Sequence, residues 1–257
     1  MKVVVLAGGL GSRLSEETNL IPKPMVQIGG KPIIWHIMKY YSHYGFNEFI
    51  LLLGYKHFVV KDYFMNYAIH SDDISIDIKS GSVEMLSKSV EPWKITLLNT
   101  GLNTLTGGRI KRAQHHIGNE KFFLTYGDGL SDIDLNKLLE FHNSHKGSLT
   151  MSGVQPFGQF GTFEEDENNL VKAFLEKPKG TGSWVNGGFF VCEKNIFNYI
   201  ENEDQTILER EPLENLAKDK ELFCYHHDSF WKCMDTMKDK QELEEMWNSN
   251  NAQWKIW

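Results

Sequence analysis

The sequence predicts an α/β fold in which a mixed, mainly parallel sheet is flanked by helices. Three observations lead to this prediction: short apolar strands alternate with helices in the first 145 residues, the first strand is apolar on both faces, and glycines follow several strand ends. The 257 residues are 41% hydrophobic and 24% charged, so the chain is long enough for a substantial core and too apolar to be disordered.

The elements of the first half follow from the hydrophobic pattern. Residues 3–7 are a continuous apolar run ended by Gly8, which is typical of a strand buried on both faces. Pro32 suits the first turn of a helix, where no backbone N–H is needed. Further strands are predicted at 48–53, 74–78, 95–99 and 122–126, and helices at 32–44, 56–67, 108–117 and 134–145. Residues 79–94 and 99–107 have no interpretable pattern.

The pattern changes after residue 145, where short strands follow one another closely. Strands are predicted at 149–155, 161–164, 171–175, 187–192 and 222–226, and helices at 206–218 and 239–247. The sequence contains no repeat and no linker long enough to separate two domains. It therefore predicts one domain, residues 1–257, whose half from about 146 onward forms a β-rich lid or second lobe.

Composition excludes several classes of function. The chain carries 27 basic and 34 acidic residues, a net charge of −7, so it lacks the positive field that nucleic acids and anionic membranes require. The three cysteines, Cys192, Cys224 and Cys233, form no CxxC pair, which argues against a disulfide framework. The apolar run at the N-terminus is too short for a signal peptide. We expect a cytoplasmic protein without a nucleic-acid or membrane partner, although a small anionic substrate is compatible with this charge.

A glycine-rich loop at residues 6–13, with the sequence LAGGLGSR, follows the first strand directly. It does not fit the dinucleotide-binding fingerprint, because Leu14 stands where the third glycine belongs. It does not fit a Walker A loop, because Arg13 and Leu14 replace the required Lys and Ser/Thr. Its backbone N–H groups can still approach an anion, and the Arg13 guanidinium suits phosphate oxygens. A tight turn without a ligand explains the glycines alone equally well.

Lys23 lies ten residues beyond Arg13, between Pro22 and Pro24. The two prolines fix φ on either side, so the lysine backbone has little freedom to lose when it enters a site. In isolation such a lysine is a plain loop residue. Together with the glycine loop at this spacing, it is better explained as a point charge on phosphate groups.

Two aspartates are candidates for metal binding. Asp128 follows the predicted strand at 122–126 between two glycines, and Asp235 lies in an aromatic-rich loop after the strand at 222–226. Ligands bind at the carboxyl edge of parallel sheets, and Mg²⁺ takes one or two carboxylates together with phosphate oxygens. A turn or a helix N-cap is the alternative for each aspartate alone. Asp132 and Asp134 also form a DxD triplet, the metal motif of glycosyltransferases, which we interpret as the start of the next helix.

Two further motifs offer groups for a sugar phosphate. Glu176 and Lys177, after the strand at 171–175, supply a carboxylate for hydroxyl groups and an ammonium for a phosphate. Asn186 and Gly187 combine an amide side chain with a backbone that allows close ligand approach. Standing alone, the first motif is an exposed charged corner and the second an ordinary turn. Neither an HExxH zinc motif nor a GxSxG nucleophile motif occurs in the sequence.

Together these segments resemble the sugar nucleotidyltransferases, also called sugar-nucleotide pyrophosphorylases, and within them the cytidylyltransferases. The resemblance runs from residue 3 to about residue 257, in the family's order, through LAGGLGSRLSEET, PKPM, IGGKPIIWHIMKYY, VEPWKITLLNTG, TGGRIKR, FLTYGDG, EKPKG, NGGFFV and FWKCMDT. It implies a Rossmann-like fold of the nucleotide-diphospho-sugar transferase type, with a nucleotide-binding half at about 1–145 and a sugar-binding half at about 146–257. It also implies a homo-oligomer, by analogy a hexamer.

The reaction implied by this resemblance joins CTP and α-D-glucose 1-phosphate. The sugar phosphate attacks the α-phosphorus in line, which forms CDP-glucose and releases pyrophosphate. Such a transfer needs positioning and charge neutralisation rather than a protein nucleophile, and the sugar phosphate is already ionised at neutral pH. Three alternatives stay open: the same chemistry with another nucleotide or sugar 1-phosphate, a catalytically silent nucleotide-sensing subunit, and a glycosyltransferase that uses the DxD triplet.

The resemblance further implies a role for each matching residue. The catalytic residues would be Arg13, Lys23 and Asp128, and Mg²⁺ would be held by Asp128 and Asp235. The nucleotide would be bound by Leu6, Ala7, Gly8, Gly9, Gly11, Ser12, Arg13, Lys23, Thr106 and Arg109, of which the last two contact either the nucleotide or a neighbouring subunit. The sugar phosphate would be bound by Tyr126, Gly127, Glu176, Lys177, Asn186 and Gly187.

Three residues differ from the pattern of the close relatives. Ile21 stands where they usually have a lysine, which removes one positive charge near the entry of the triphosphate, and Gln27 stands where they have glutamate. Cys233 replaces the proline expected before Met234 and Asp235. None of the three changes removes a residue that has a chemical role, so they affect base and sugar specificity more than reaction class.

Overall fold

The computed structural model describes residues 1–87, 90–156, 162–165, 171–175, 184–201 and 203–257. The strands of these residues are β1 (Lys2–Ala7), β2 (Gln27–Ile28), β3 (Lys31–Pro32), β4 (Glu48–Leu53), β5 (Ile74–Asp77), β6 (Ser82–Met85), β7 (Lys94–Asn99), β8 (Phe122–Tyr126), β9 (Gly129–Ser131), β10 (Leu149–Val154), β11 (Thr162–Glu165), β12 (Val171–Leu175), β13 (Val185–Cys192), β14 (Leu222–His227) and β15 (Trp231–Cys233). Their α-helices are α1 (Ser15–Thr18), α2 (Ile33–His43), α3 (His57–Met65), α4 (Tyr67–Ser71), α5 (Thr106–Ile117), α6 (Leu135–Asn143), α7 (Glu211–Lys218) and α8 (Met237–Asn248). Short 3₁₀ helices lie at Ser12–Leu14, Lys23–Met25 and Lys194–Asn198.

Seven strands form one central sheet in the order β14-β10-β13-β8-β1-β4-β7. β1 pairs in parallel with both β4 and β8, β4 pairs in parallel with β7, and β10 pairs in parallel with β14. β13 is antiparallel to its neighbours β8 and β10, so the other six strands all point the same way. The predicted α/β fold with a mixed, mainly parallel sheet is therefore confirmed.

Helices cover both faces of this sheet, and the strand side chains alternate between two cores. In β1, Val3, Val5 and Ala7 belong to one core, whereas Val4 and Leu6 belong to the other. The first core contains buried side chains of α2, α6 and α8, and the second contains those of α5 and α7. Because β1 is buried on both faces, its sequence is apolar throughout, as predicted.

The strands of the second half continue the sheet of the first half rather than forming a free-standing lobe. β10, β13 and β14 extend it beyond β8, and β15 pairs with β9. β11 and β12 pair with each other as a hairpin. The edge of β8 offers unpaired N–H and C=O groups, which β13 satisfies by antiparallel pairing. This continuity supports the single domain predicted for residues 1–257.

The starts of α7 and α8 differ from the prediction, each for a local reason, and α5 begins at Thr106 rather than at residue 108. α7 begins at Glu211 rather than at residue 206, because Pro212 fits only the first turn of a helix. α8 begins at Met237 rather than at residue 239, because Thr236 and Asp239 form a capping box. In this box the Thr236 hydroxyl accepts from the Asp239 N–H, and the Asp239 carboxylate accepts from the Thr236 N–H.

The stretches that lacked an interpretable pattern contain regular structure. Residues 79–94 include β6, which pairs with β5 as an antiparallel hairpin apart from the central sheet. Residues 99–107 lead from β7 into α5. The predicted helix at 56–67 is divided at Asn66 into α3 and α4. Across the described ranges, no helix has both the length and the apolar character needed to span a bilayer.

A buried histidine joins α2 to the C-terminal segment. His36 has no exposed surface and packs against the rings of Trp247 and Trp254. The Trp254 indole N–H donates to His36 Nδ1 at 3.3 Å, and His36 Nε2 lies 2.8 Å from the Ile28 carbonyl oxygen. We assign a neutral ring on these partners, with the proton on Nε2. Burial lowers the pKa of His36 to about 4.

Acid is therefore expected to destabilise the protein through His36. Between the usual pKa of about 6.5 and about 4, the unfolded chain binds a proton that the folded protein does not. The stabilisation is complete above this range, and the free energy of unfolding should fall by up to about 3 kcal/mol as the pH passes down through it. The free energy of unfolding can be measured by urea titration at several pH values from about 7 to about 4. It should fall less steeply with decreasing pH for His36→Gln than for the wild type.

His43 supplies the matched control, because it lies on the same helix with an exposed side chain. His43→Gln should keep the wild-type dependence of unfolding free energy on pH. If the unfolding free energy of His36→Gln depends on pH as steeply as that of the wild type, His36 is not held neutral by the fold.

Candidate active site

The carboxyl ends of β1 and β8 open into a cavity of about 550 Å³. The glycine loop leaves β1 at this edge, and Gly127 and Asp128 leave β8 beside it, because the two strands are parallel neighbours. The cavity is lined by residues 6–13, 23–24, 102–106, 109, 126–128 and 205. The structure thus brings together all residues predicted for catalysis and nucleotide binding, together with Tyr126 and Gly127 of the predicted sugar phosphate site.

The glycines of the loop differ in what they make possible. Gly11 has a φ of 67°, a left-handed conformation that favours glycine. A Cβ on Gly8 would lie 2.3 Å from the Arg109 guanidinium, so this glycine makes room for another side chain. A Cβ on Gly9 would meet nothing within 4 Å. No contact within the described structure requires a glycine at position 9, where the backbone is open to a ligand in the cavity.

Arg109 holds the loops around the cavity together. Its side chain extends from α5 and is only 4% exposed. The guanidinium donates to five oxygen atoms, which are the carbonyl oxygens of Gly8, Leu53, Gly101 and Leu102 and the hydroxyl of Thr100. These acceptors lie at the ends of β1, β4 and β7, so one side chain fixes three loops. The predicted contact of Arg109 with a nucleotide stays a prediction, and the structure shows that both terminal nitrogens of the guanidinium already have partners.

Lys23 lies in the cavity wall between two carboxylates. Its ammonium is 2.6 Å from Asp128 Oδ2 and 2.7 Å from Asp235 Oδ1, and Arg13 Nη1 is 3.0 Å from Asp235 Oδ2. The side chain of Lys23 is 13% exposed, whereas that of Arg13 is 75% exposed. Burial alone would lower the pKa of Lys23, but the charge of Asp128 and hydrogen bonds to both aspartates outweigh it and raise the pKa. Lys23 is thus a fixed positive charge, and Arg13 is a second one at the rim.

Short backbone elements bring these charged groups together. Pro22 is extended, and the 3₁₀ turn Lys23–Met25 begins directly at the lysine. β15 pairs with β9 so that Cys233 lies opposite Gly129, and the Met234 N–H donates to the Asp128 carbonyl oxygen. The pairing of β9 with β15 therefore places Asp235 beside Asp128, although the two residues are far apart in the sequence.

The carboxylates of Asp128 and Asp235 and the thiol of Cys233 form a cluster whose ligand atoms all lie within 4.8 Å of one another. Burial, with the nearby charge of Asp128, raises the pKa of the Cys233 thiol. The Lys23 ammonium between the carboxylates shows that this position attracts a cation. Two carboxylates beside this cavity suit Mg²⁺, so the residues present fit a divalent metal ion.

Glu209 joins the two sides of the cavity, and the sequence did not predict it. Its carboxylate accepts hydrogen bonds from the Tyr126 hydroxyl and, at 2.6 Å, from the Thr106 hydroxyl. The Asn186 side-chain amide donates to the Tyr126 hydroxyl at 3.2 Å. Four side chains thus form one hydrogen-bonded chain between residues predicted for the sugar phosphate and a residue predicted for the nucleotide. Glu209 precedes α7 in a stretch predicted as plain helix, so no sequence signal marked it.

Asn186 and Gly187 do not line the cavity. Glu176 and Lys177 lie outside the described residues. Gly187 is buried, and its carbonyl oxygen accepts from the Trp231 indole N–H at 2.7 Å.

Residues 102–105 and Gln205 line the cavity although no motif predicted them. The signal for residues 102–105 was only that they follow a predicted strand end.

The DxD triplet has other partners. Asp134 caps α6 by accepting from the N–H groups of Asn136 and Lys137, which confirms the predicted helix start. Asp132 lies 2.9 Å from His227 Nε2 and accepts a hydrogen bond from the Ser229 hydroxyl. Neither aspartate lines the cavity, and their ion-pair partners Lys137 and His227 do not line it either, whereas Asp128 lines it and Asp235 pairs with the lining residues Arg13 and Lys23. The geometry therefore favours Asp128 and Asp235 over the triplet as metal ligands.

Comparison with known proteins gives a consistent picture. The family model described as "Nucleotidyl transferase" matches residues 2–246. The glucose-1-phosphate cytidylyltransferase of Salmonella typhi is 47% identical over 258 residues, which cover the whole of both chains. The probable glucose-1-phosphate cytidylyltransferase of Bacillus subtilis (strain 168) is 49% identical over 257 residues, again covering both chains fully.

Solved structures have the same fold. HddC from Yersinia pseudotuberculosis, complexed with GMP-PN, has a TM-score of 0.67 at 28% identity, over 96% of this chain and 99% of that one. A UDP-glucose pyrophosphorylase complexed with UDP-glucose has a TM-score of 0.69 over 97% of this chain and 98% of that one. Its 17% identity makes it evidence for the fold alone.

Removing the Arg109 side chain is expected to destabilise the fold strongly. Arg109→Ala removes a donor from five oxygen atoms, of which the Gly8 and Leu53 carbonyl oxygens keep a backbone donor and the other three lose the guanidinium as their partner. The free energy of unfolding should therefore fall by roughly 3–5 kcal/mol. Arg112→Ala on the same helix is the control, since Arg112 is 44% exposed, makes one ion pair with Asp204 and one hydrogen bond to the Thr100 carbonyl oxygen, and should contribute much less, about 1 kcal/mol. Equal losses for the two variants in urea unfolding would contradict the proposed role of Arg109.

Proposed function

Since the chain belongs to the nucleotidyl transferase family, we propose that it joins CTP and α-D-glucose 1-phosphate to form CDP-glucose and pyrophosphate. The curated relatives that match it over their full length have that cytidylyltransferase activity in their names. The observation that carries the proposal is the position of Lys23 between Asp128 and Asp235. One ammonium and two carboxylates beside a glycine loop are what transfer from a triphosphate requires.

The reaction forms one bond to phosphorus and breaks another. An oxygen of the sugar phosphate attacks the α-phosphorus of CTP. The bond from this phosphorus to the oxygen that bridges it to the β-phosphorus breaks, and pyrophosphate leaves with the electron pair. The sugar phosphate is already ionised, so no residue has to remove a proton. The protein must align two anions that repel each other and neutralise the charge that grows on the leaving group.

The glycine loop and its flanking charges suit the triphosphate. The backbone at Gly9 is open to the cavity, and Ser12 and Arg13 follow within the same loop. The exposed Arg13 guanidinium can donate two parallel hydrogen bonds to phosphate oxygens. Lys23 acts as a point charge on the α-phosphate and the leaving pyrophosphate. Leu6, Ala7, Gly8, Gly11 and Thr106 complete the proposed nucleotide site.

Mg²⁺ would be held by Asp128 and Asp235, whose carboxylate oxygens fit a hard cation. When bound, the ion supplies a Lewis acid that neutralises phosphate charge. The contribution of the chain itself is the Lys23 ammonium, which balances part of the carboxylate charge and keeps a positive group beside the reacting phosphates. The two carboxylates support the assignment of Mg²⁺, and so does the resemblance to the sugar nucleotidyltransferases.

The sugar phosphate is assigned to Tyr126, Gly127, Asn186 and Gly187, together with Glu176 and Lys177. The first two line the cavity, and Asn186 is hydrogen-bonded to Tyr126. The resemblance to the sugar nucleotidyltransferases supports the EKP pair. In this assignment, residues from about 1–145 bind the nucleotide and those from about 146–257 bind the sugar. The hydrogen bonds that link Thr106, Glu209, Tyr126 and Asn186 in series support a close coupling of the two halves.

An exposed apolar surface supports a homo-oligomer. The successive elements α3, α4, β5 and β6, with the short segments that follow the two strands, expose large apolar side chains, namely Phe58, Met65, Ile69, Ile76, Ile78, Val83 and Leu86. Water contact with so many apolar side chains is unfavourable, and a second copy of the chain that covered them would remove this cost. The hexamer implied by the resemblance stays a prediction, as does the cytoplasmic location.

In the presence of Mg²⁺, the purified protein should release pyrophosphate only when CTP and glucose 1-phosphate are both supplied. A coupled pyrophosphate assay with four nucleoside triphosphates and several sugar 1-phosphates measures this directly. Release with a different pair would keep the reaction class and reject the specificity. A protein that binds CTP but releases pyrophosphate with no combination of nucleotide and sugar 1-phosphate would be a nucleotide-sensing subunit. The presence of Arg13, Lys23, Asp128 and Asp235 argues against that outcome.

Lys23→Ala and Asp235→Asn should each lower kcat by about 100- to 1,000-fold, because a lost transition-state charge contact is worth about 2.7–4 kcal/mol. Their urea unfolding curves should change far less than their turnover. Lys121→Ala and Asp134→Asn remove the same kinds of charge outside the cavity and serve as controls. A folded Lys23→Ala protein with nearly wild-type kcat would show that Lys23 has no catalytic role.

A further inference from the structure

Cys233 lies in the metal-binding cluster but has no part in the proposed transfer reaction. Its sulfur and one oxygen each of Asp128 and Asp235 lie within 4.8 Å of one another. The backbone around it is fixed, because β15 pairs with β9 and the Met234 N–H donates to the Asp128 carbonyl oxygen. Trp231, which points to the same side of β15 by alternation, is anchored by its hydrogen bond to Gly187. The thiol is therefore held beside the carboxylates.

The position between these carboxylates already holds a cation of the chain. The Lys23 ammonium lies 2.6 Å from Asp128 and 2.7 Å from Asp235, which shows that the local field favours positive charge. The thiol adds a donor that only some metal ions use. Mg²⁺ takes oxygen ligands, whereas Zn²⁺ and the softer Cd²⁺ bind cysteine sulfur together with carboxylate oxygen. Within the part of the chain that the structure describes, no other group of three such ligands occurs.

We propose that Asp128, Cys233 and Asp235 form a three-ligand site for a thiolate-binding divalent cation such as Zn²⁺ or Cd²⁺. The inference rests on the proposed function only in taking the two aspartates as the Mg²⁺ pair. Binding forms a metal–sulfur bond and breaks the S–H bond, and the proton leaves to solvent. Three protein ligands leave one further position on a tetrahedral ion.

Such an ion would inhibit the transfer reaction, because it would occupy the two aspartates that the proposed function assigns to Mg²⁺. The Cys233 sulfur would give it a ligand that Mg²⁺ does not use, so the ion would hold its place in competition with Mg²⁺.

The test uses the substrate-free full-length protein and cadmium as the probe. Titration of the reduced protein with Cd²⁺ in excess Mg²⁺ should give the ultraviolet thiolate-to-cadmium charge-transfer band with a stoichiometry of one, and Zn²⁺ should abolish it by displacement. Cys233→Ser should lose the band, and calorimetry should show Cd²⁺ affinity weakened by about tenfold or more. Asp235→Asn should weaken the affinity while keeping a band.

Cys224→Ser is the matched control, because Cys224 lies on β14 and outside the cluster, and it should bind Cd²⁺ like the wild type. A band that persists in Cys233→Ser, or its absence from the wild type at stoichiometric Cd²⁺, would overturn the proposal. The pyrophosphate assay separates this inference from the proposed function. An Mg²⁺-dependent transferase without the cadmium band would reject the site alone, and a cadmium-binding protein without transfer would reject the function alone.

Discussion

The cavity depends on a single buried guanidinium. Arg109 donates to oxygen atoms at the ends of β1, β4 and β7, so the loops cannot separate without leaving a buried charge unsolvated. Every one of these five partners is a neutral carbonyl or hydroxyl group, so their contacts solvate the charge without cancelling it. Because the Gly8 carbonyl oxygen is one of them, a positive charge lies directly behind the glycine loop. Arg109 therefore favours an anion in the cavity through its field, even though its hydrogen bonds are used within the protein.

Local charge and net charge point in opposite directions in this molecule. The net charge of −7 argues against long polyanions. Around the cavity, however, Arg13 and Lys23 pair with the carboxylates of Asp128 and Asp235, and Arg109 adds a third positive charge to the lining. The Lys23 ammonium lies between the two carboxylates and raises the local potential beside them. The chemistry depends on this small group of residues rather than on the composition of the surface.

The sequence predicted what depends on local pattern and missed what depends on distant contacts. β1 and β8 were found because burial on both faces leaves a continuous apolar run, and Asp128 was found because it follows such a run. Leu14, which stands where the dinucleotide fingerprint requires a glycine, is a fully buried core residue. Glu209 was missed because its role arises from contacts with Thr106 and Tyr126, far away in the sequence. The hairpin of β5 and β6 was only half predicted, because its mostly exposed strands lack a core-facing pattern.

The place of β13 in the sheet has a consequence for how the chain acquires its shape. β13 lies between β8 and β10, yet it is synthesised after both of them. Until residues 185–192 are made, β8 has an open edge, and β10 has no neighbour through which to reach it. A nascent chain can already assemble the parallel strands that carry the glycine loop. The pairing of β15 with β9, which brings Asp235 to Asp128, becomes possible later still. Lys23, Asp128 and Asp235 can thus come together only late in synthesis, and until then the open β8 edge is a place where a newly made chain can pair with the wrong strand.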